Sequence, residues 1–205
     1  MPPKHLSLFR WGAAPQWLSH QVAWWICILG TGWIRPGAMV AFIGAHLWFT
    51  RPMWRRELRV IGWSVALGFT ADSGLAWSGA VAFDGGLRVG LVPLWMISLW
   101  AGFGATLLHS QRRMLKGRWL AVAIGAFGGP LGYLGGERLG CLTVGDGFGL
   151  VAIGLAWALV FGGLEAILES VERDKQREEV SPSPVPIDQH QSANASKTRC
   201  SINIG

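Results

Sequence analysis

The stretch VIGWSVALGFTADSGLAWSGAVAF, residues 60–83, decides the fold class of this chain. A hydrocarbon core of about 30 Å takes about 20 helical residues at 1.5 Å each, so the stretch is long enough to cross a bilayer. Its one charged residue is Asp72, with Gly68 four residues before it and Ala76 four residues after it on the same helix face. Small residues let a neighbouring helix approach closely. The sequence therefore predicts that Asp72 points into a helix bundle and away from lipid.

The composition indicates the same class. Of the 205 residues, 51% are hydrophobic and 15% are charged, whereas soluble domains carry about 25% charged residues. The net charge of +6 belongs to residues 1–170, because the basic and acidic residues that follow balance each other. The basic residues lie in connectors between apolar runs, so membrane topology accounts for them better than a nucleic-acid-binding surface. No nucleic-acid partner is expected.

Six apolar runs are the predicted membrane spans: residues 17–34, 37–50, 60–83, 91–109, 119–136 and 147–168. The second run is short and lies between Pro36 and Pro52, so it either crosses with little tilt or is re-entrant. The predicted fold is an all-α, polytopic transmembrane bundle of about six spans over residues 17–168, with a cytoplasmic segment, residues 1–16, before it.

Lys and Arg residues in the short connectors set the predicted orientation. Ten lie on one side: Lys4, Arg10, Arg51, Arg55, Arg56, Arg59, Arg112, Arg113, Lys116 and Arg118. Three lie on the other: Arg35, Arg88 and Arg138. Because cytoplasmic loops carry an excess of Lys and Arg, both termini are predicted to be cytoplasmic, and an even number of spans agrees. The expected location is the bacterial cytoplasmic (inner) membrane. The expected partners are the bilayer with either a lipid substrate or other membrane proteins, and a homo-oligomer is open.

The composition changes after Leu168. Residues 169–205 are charged, then rich in Ser and Pro, then polar, with almost no apolar side chain to bury. Such a segment cannot offset the entropy of ordering, so it is predicted to be a largely disordered cytoplasmic tail after a frayed helical extension. The cysteines, Cys27, Cys141 and Cys200, are interpreted as free thiols.

Two further spans carry stripes of small residues. In the fourth span the stripe consists of Ser98, Ala101, Gly102, Ala105 and His109. In the fifth span glycine recurs at every fourth position: Gly128, Gly132, Gly136 and Gly140. So regular a stripe indicates either helix packing or a ligand against the backbone, and Gly128, Gly132 and Gly136 are assigned to helix packing.

Three histidines, His20, His46 and His109, lie near the cytoplasmic ends of their spans. They either share a site that binds a metal or relays protons, or lie separately at headgroup level. Their spacing matches no metal motif, so no metal ligand is assigned and the cofactor is left unknown. The chain also lacks a nucleophile elbow and a phosphate-binding glycine loop.

Four segments occur in the order HQVAWWICILG, TADSGL, PLWMISLWAGFGATLLHS and GGPLGYLGGERLG. Together they resemble a family of small bacterial inner-membrane proteins catalogued as a domain of unknown function, over residues 17–165. The most specific part runs from Pro93 to Ser110. The family often has Asn before the histidine, where this chain has Leu108. The resemblance implies a polytopic cytoplasmic-membrane protein without an assigned activity, substrate or cofactor. Members are often encoded near lipid-modifying enzymes, which associates the family with lipids.

Three functions are left open. In the first, an enzyme or accessory subunit of membrane-lipid metabolism, Asp72 and His109 are the catalytic pair, although they lie at different depths. The substrate-binding candidates in this hypothesis are Ser73, Thr106, Ser110, Tyr133, Trp95 and Trp100. In the second, a small proton- or ion-coupled transporter, Asp72 is the midplane site. In the third, a scaffold or partner-binding subunit, Asp72 is a structural hydrogen-bond acceptor between helices.

Overall fold

The computed structural model describes residues 13–113 and 115–180, without the side chain of Glu179. These residues form six α-helices, one for each predicted apolar run: α1 Ala13–Leu29, α2 Ile34–Phe49, α3 Trp54–Trp77, α4 Leu94–Thr106, α5 Arg118–Arg138 and α6 Gly149–Val180. The short second run, for which a re-entrant segment was open, is a helix of 16 residues.

The chain divides into two compact units, residues 1–171 and residues 172–205. Helix α6 contributes residues to both units. It continues past Leu168, as the predicted helical extension requires, and ends at Val180. The predicted disorder of the tail from residue 181 onward lies outside the described residues, as does most of the predicted N-terminal segment.

By length and composition, two of the described helices are candidate membrane spans, whereas the sequence predicts six spans. Among the described residues, α5 and α6 are long and apolar enough to cross a membrane. Helix α4 is apolar but has only 13 residues. The others are either short or, like α3, begin with several charged residues.

Four short β-strands correct the prediction of an all-α fold. They are β1 Val81–Phe83, β2 Arg88–Val89, β3 Val92–Pro93 and β4 Leu142–Val144. Strand β1 pairs with β4 and β2 pairs with β3, both antiparallel. The strands follow α3 and α5 and precede α4 and α6, so both two-stranded sheets lie at one end of the bundle.

The predicted third span was wrong in its last turn because the apolar run extends beyond its helix. Helix α3 ends at Trp77, and Gly79 has φ of +75°, a left-handed conformation that glycine adopts without steric cost. After this turn, Val81 and Phe83 are buried as strand residues. Hydropathy alone does not distinguish the end of a helix from a buried strand that continues it.

Helix α4 packs through its small residues, as the sequence predicts. Ser98, Gly102 and Ala105 are buried. A Cβ atom at Gly102 would overlap the side chain of Met39 in α2, and one at Gly104 would lie 2.8 Å from the Cα atom of Ile61 in α3. These two glycines therefore set the close approach of α4 to both neighbouring helices.

The predicted glycine stripe of α5 is not the face through which this helix packs against its neighbours. A Cβ atom at Gly128 or Gly132 would have no atom of another element within 4 Å, and one at Gly136 would meet only Leu142 of β4. The helix instead packs through Gly125 and Gly129, whose added Cβ atoms would overlap Trp157 of α6. The assignment of Gly128 and Gly132 to helix packing was wrong. The buried face of α5 contains Gly125 and Gly129 instead, so it lies one residue along the helix from the predicted stripe.

The exterior of the bundle is also apolar. Trp77, Trp119, Phe127 and Leu159 are between 74% and 84% exposed. Soluble monomers rarely expose large continuous apolar patches, and many further large apolar side chains are exposed along the helices. This surface is suited to a partner that is itself apolar.

We predict that Gly125→Ala destabilises the bundle, because the added methyl group would overlap the main-chain carbonyl of Trp157. Overpacking of this kind costs about 1–3 kcal/mol. Unfolding of the detergent-solubilised protein, followed by tryptophan fluorescence, measures the effect. The matched control is Gly128→Ala, which has free space and should not lower the stability. Equal stability of the two variants would contradict the described helix contact.

Candidate functional site

Among the described residues, two groups of hydrogen-bonded buried side chains are each centred on a carboxylate of helix α3. We call Asp72, Trp100 and Tyr133 the Asp72 cluster. The Glu57 cluster consists of Gln16, His46, Glu57 and His109. Asp72 and Glu57 are 15 positions apart in one helix, which corresponds to a rise of about 22 Å. The two clusters are therefore distinct sites.

In the Asp72 cluster, two aromatic side chains hydrogen-bond one carboxylate. Asp72 is fully buried, which confirms the predicted inward orientation. Its Oδ2 accepts a hydrogen bond of 2.8 Å from Nε1 of Trp100, and its Oδ1 accepts one from the hydroxyl of Tyr133. The cluster thereby joins α3, α4 and α5 through a single acceptor.

Gly68 lets Trp100 reach Asp72. It lies one turn before Asp72 on the same face of α3, and a Cβ atom there would overlap the indole ring of Trp100. The small residue that the sequence associated with close helix approach therefore accommodates an aromatic ring. The ring also packs against Trp157 of α6, with centroids 4.9 Å apart.

An apolar cavity of about 200 Å³ lies beside the Asp72 cluster. Its walls come mainly from α1, α4, α5 and α6, and they include Trp95, Trp100, Tyr133 and Trp157. Of the predicted substrate-binding residues, Trp95, Trp100 and Tyr133 are thus together at this cavity. Gly132 and Gly136 also line it, which agrees with the second interpretation of the glycine stripe, a ligand against the backbone.

His20 is one of the few polar residues in the wall of this apolar cavity. The residue is buried and belongs to the cavity wall. Its Nδ1 lies 3.3 Å from Oε1 of Gln21, and its Nε2 is buried without a hydrogen-bond partner. A buried polar atom without a partner is costly, so Nε2 of His20 is an unsatisfied group in the bundle interior.

The Glu57 cluster is built from the ends of four helical segments. Gln16 lies in the first turn of α1, His46 in the last turn of α2 and Glu57 in the first turn of α3. His109 lies in the turn that follows α4. Glu57 Oε2 is 3.0 Å from His46 Nε2, and Glu57 Oε1 is 2.8 Å from His109 Nε2. One carboxylate thus contacts two imidazoles.

The environment of Glu57 favours its ionised form. Glu57 lies outside the predicted third membrane span, which begins at residue 60. Burial raises the pKa of this carboxyl, whereas the hydrogen bonds with His109 and His46 lower it. The lowering is the larger effect, so the pKa is below its ordinary value. The cluster therefore contains a buried carboxylate whose charge is compensated by N–H donors.

Glu57 was missed in the sequence because it stands in a strongly basic connector. Arg55, Arg56 and Arg59 surround it in RPMWRRELR, which was interpreted only as an orientation signal. The buried face of α3 nevertheless runs at helical spacing through Glu57, Ile61, Ser64, Gly68 and Asp72. Extending the face of Asp72 towards the N-terminus would have identified Glu57.

The other predicted site residues are distributed differently from the expectation. The structure does not bring Asp72 and His109 together, because each belongs to its own cluster. Of the three histidines, His46 and His109 meet, whereas His20 lies at the cavity, so a site shared by all three was wrong.

Three hydroxyl candidates lie away from the cavity. Ser73 is half-buried and is not part of the cavity wall. The hydroxyl of Thr106 donates to the carbonyl of Phe103 within α4. The backbone N–H of Ser110 donates to Gln16 Oε1, so Ser110 belongs with the Glu57 cluster.

A further buried acid, Glu165 of α6, was also missed. It is buried, and its Oε2 has no hydrogen-bond partner. Asp72 is therefore one of three buried carboxylates among the described residues, together with Glu57 and Glu165.

The fold and the two clusters define a predominantly helical bundle with an apolar exterior and buried polar sites. Residues 15–163 match the model of the family described as "Protein of unknown function (DUF2878)", and the chain belongs to this family. The match covers both clusters and agrees with the resemblance found in the sequence. The chain matches no curated protein and no solved structure.

We predict an energetic coupling between Asp72 and Tyr133. Removing the carboxylate leaves the buried hydroxyl without its acceptor, so Tyr133→Phe should cost less stability in an Asp72→Ala background than in the native protein. Contacting residues show coupling of about 0.5–3 kcal/mol in double-mutant cycles. Unfolding in detergent gives the four free energies. Thr70→Ala is the control partner for Asp72→Ala, because the Thr70 hydroxyl bonds within its own helix. Additivity in both cycles would contradict the coupling.

Proposed function

We propose that this protein is an integral inner-membrane protein with six spans and both termini in the cytoplasm. In this proposal it binds a lipid or another apolar chain in the cavity beside Asp72. It acts as an enzyme or accessory subunit in membrane-lipid metabolism. The observation that carries the binding role is the apolar cavity with its aromatic wall.

The membrane topology is supported by the exterior and by the two ends of the bundle. The exposed apolar side chains would contact lipid. The Glu57 cluster lies at the end where the predicted cytoplasmic connectors meet, and the two sheets lie at the other end. Helix α4 is short. However, Val92 before it and Leu107 after it are fully buried, so the apolar segment of the chain extends beyond both ends of this helix.

The topology is testable by labelling single cysteines. In a chain without Cys27, Cys141 and Cys200, Lys116→Cys is expected to react with an impermeant maleimide only from the cytoplasmic side. Arg88→Cys is expected to react only from the opposite side. Both positions are exposed, so accessibility within the fold does not limit either reaction. Labelling of both cysteines from one side would contradict the alternating topology.

The character of the cavity defines the ligand that we propose. A volume of about 200 Å³ is below the 300–1,000 Å³ of typical small-molecule sites, so it suits one segment of a chain better than a whole lipid. Aromatic walls contribute apolar contact area.

Gly132→Leu is predicted to block this binding. The added side chain has free space at Gly132, and that space is the cavity. A fatty acid that carries a photoreactive diazirine would be crosslinked in membranes, and the labelled residues mapped by mass spectrometry. Labelling of the cavity wall should fall about tenfold, which corresponds to about 1.4 kcal/mol.

The matched control is Gly128→Leu, on the same helix, equally free of neighbours and not part of the cavity wall. It should leave labelling of the cavity wall unchanged. The exposed side chain of Leu159 provides an internal reference for contact with bulk lipid. Labelling of Leu159 without labelling of Trp95 or Tyr133 would contradict a ligand in the cavity.

The scaffold alternative is favoured by one observation. Both carboxylate oxygens of Asp72 already accept a hydrogen bond, as expected of a structural acceptor between helices. Lipid profiling of a deletion strain tests the role in lipid metabolism. An altered lipid species supports this role, and an unchanged profile supports the scaffold or the transporter. A functional Asp72→Asn variant at normal protein levels would exclude Asp72 as a proton or ion site.

A further inference from the structure

Gln16 determines the tautomer of His46. Its Nε2 donates to the carbonyl of Ala105 at 3.0 Å, and its Oε1 accepts from the backbone N–H of Ser110 at 3.1 Å. Because these two backbone groups differ in kind, they fix which end of the amide is nitrogen. The amide nitrogen also lies 3.2 Å from Nδ1 of His46. Since an amide nitrogen only donates, this Nδ1 is the acceptor.

The hydrogen of neutral His46 is therefore on Nε2, the nitrogen that faces Glu57. This N–H donates to Glu57 Oε2 at 3.0 Å. The ligand atoms of His46, Glu57 and His109 lie within 4.8 Å of one another, and His and Glu side chains can both bind metals. A metal would require an unprotonated Nε2 at His46, however, so the hydrogen bonds of Gln16 favour a proton network.

The second oxygen of Glu57 determines the tautomer of His109 in the same way. An ionised carboxylate only accepts hydrogen bonds, and Oε1 lies 2.8 Å from Nε2 of His109, a length typical of charge-assisted bonds. In the neutral form of His109 the N–H is thus on Nε2, and Nδ1 carries the lone pair. Within the described residues no hydrogen bond engages this Nδ1, and the side chain is 21% exposed.

We infer that His109 is a proton-accepting site, whose basic atom Nδ1 is kept free of hydrogen bonds by the chain Gln16–His46–Glu57. A carboxylate that orients an imidazole so that its other nitrogen is free is the arrangement of a general base. The proton would come from water or from the hydroxyl or thiol of a molecule at this end of the bundle. The lone pair of Nδ1 takes the proton, the donor keeps the electron pair of the broken bond as an anion, and Glu57 compensates the imidazolium charge.

The tautomers of the native protein test this inference directly. The protein is labelled with ¹⁵N at histidine and reconstituted in nanodiscs at mildly alkaline pH, and its imidazole nitrogens are observed by NMR. The signals are assigned from their loss in His46→Gln and His109→Gln. Both residues are expected as the Nε2–H tautomer. An Nδ1–H tautomer at either histidine in the native protein would overturn the inference.

Glu57→Gln should reverse the tautomer of His109 alone. Gln16 keeps His46 as the Nε2–H tautomer, so the new amide must turn its oxygen towards His46 and its nitrogen towards His109. His109 Nε2 then accepts, and its hydrogen moves to Nδ1, which removes the lone pair of Nδ1. The control is Glu137→Gln, which changes another carboxylate bonded to the backbone N–H of Val144 and should leave both tautomers unchanged. Retention of the native tautomer at His109 in folded Glu57→Gln would contradict the role of Glu57.

Metal binding is the alternative outcome of the same experiment. The spectra of native protein should be identical after incubation with Zn²⁺ and with a chelator. One equivalent of retained zinc, together with displaced Nε2 signals of His46 and His109, would show a metal site and overturn the proton-accepting role. This comparison needs no variant, so it is informative even if Glu57→Gln does not fold.

Discussion

The bundle is organised around the need of one buried carboxylate for hydrogen-bond donors. Asp72 is enclosed in the bundle, where an unpaired charge would be prohibitively costly, and it receives N–H and O–H donors from Trp100 and Tyr133. These partners come from two other helices, so satisfying the carboxylate also fixes how α3, α4 and α5 approach. The same two aromatic side chains form part of the cavity wall. Gly68 is part of this arrangement, because no larger residue would leave room for the indole of Trp100.

A second carboxylate on the same face of α3 organises the other end of the bundle. Glu57 contacts His46 and His109, and Gln16 completes the network through backbone groups of Ala105 and Ser110. The two clusters differ in chemical character. At Asp72 the carboxylate oxygens accept from a phenol hydroxyl and an indole N–H, whereas at Glu57 they contact two imidazoles, the side-chain type most often used for proton transfer. We therefore associate the Asp72 cluster with helix packing and cavity shape, and the Glu57 cluster with the inferred proton transfer.

Along α5, the position of each glycine determines whether it contacts helix α6 or lines the cavity. Gly125 and Gly129 face Trp157, and substitution there would push two helices apart. Gly132 and Gly136 face the cavity, where the missing side chains leave space and expose backbone. One helix thus carries two adjacent glycine rows, one in contact with α6 and one at the cavity. This explains why its glycine content exceeds what helix packing alone requires.

The sequence by itself determined the number and approximate position of the helices, the inward orientation of Asp72 and the membership of the family, because apolar runs and helical spacing are local properties of the chain. It did not determine that Trp100 and Tyr133 bind Asp72, that Gly125 and Gly129 are the packing glycines, or that β1 continues the third apolar run. Nor did it reveal the Glu57 cluster, whose members are up to 94 positions apart when the Ser110 contact is included. Such pairings depend on how each helix is rotated about its axis, and that rotation is set by the packing of all its neighbours together.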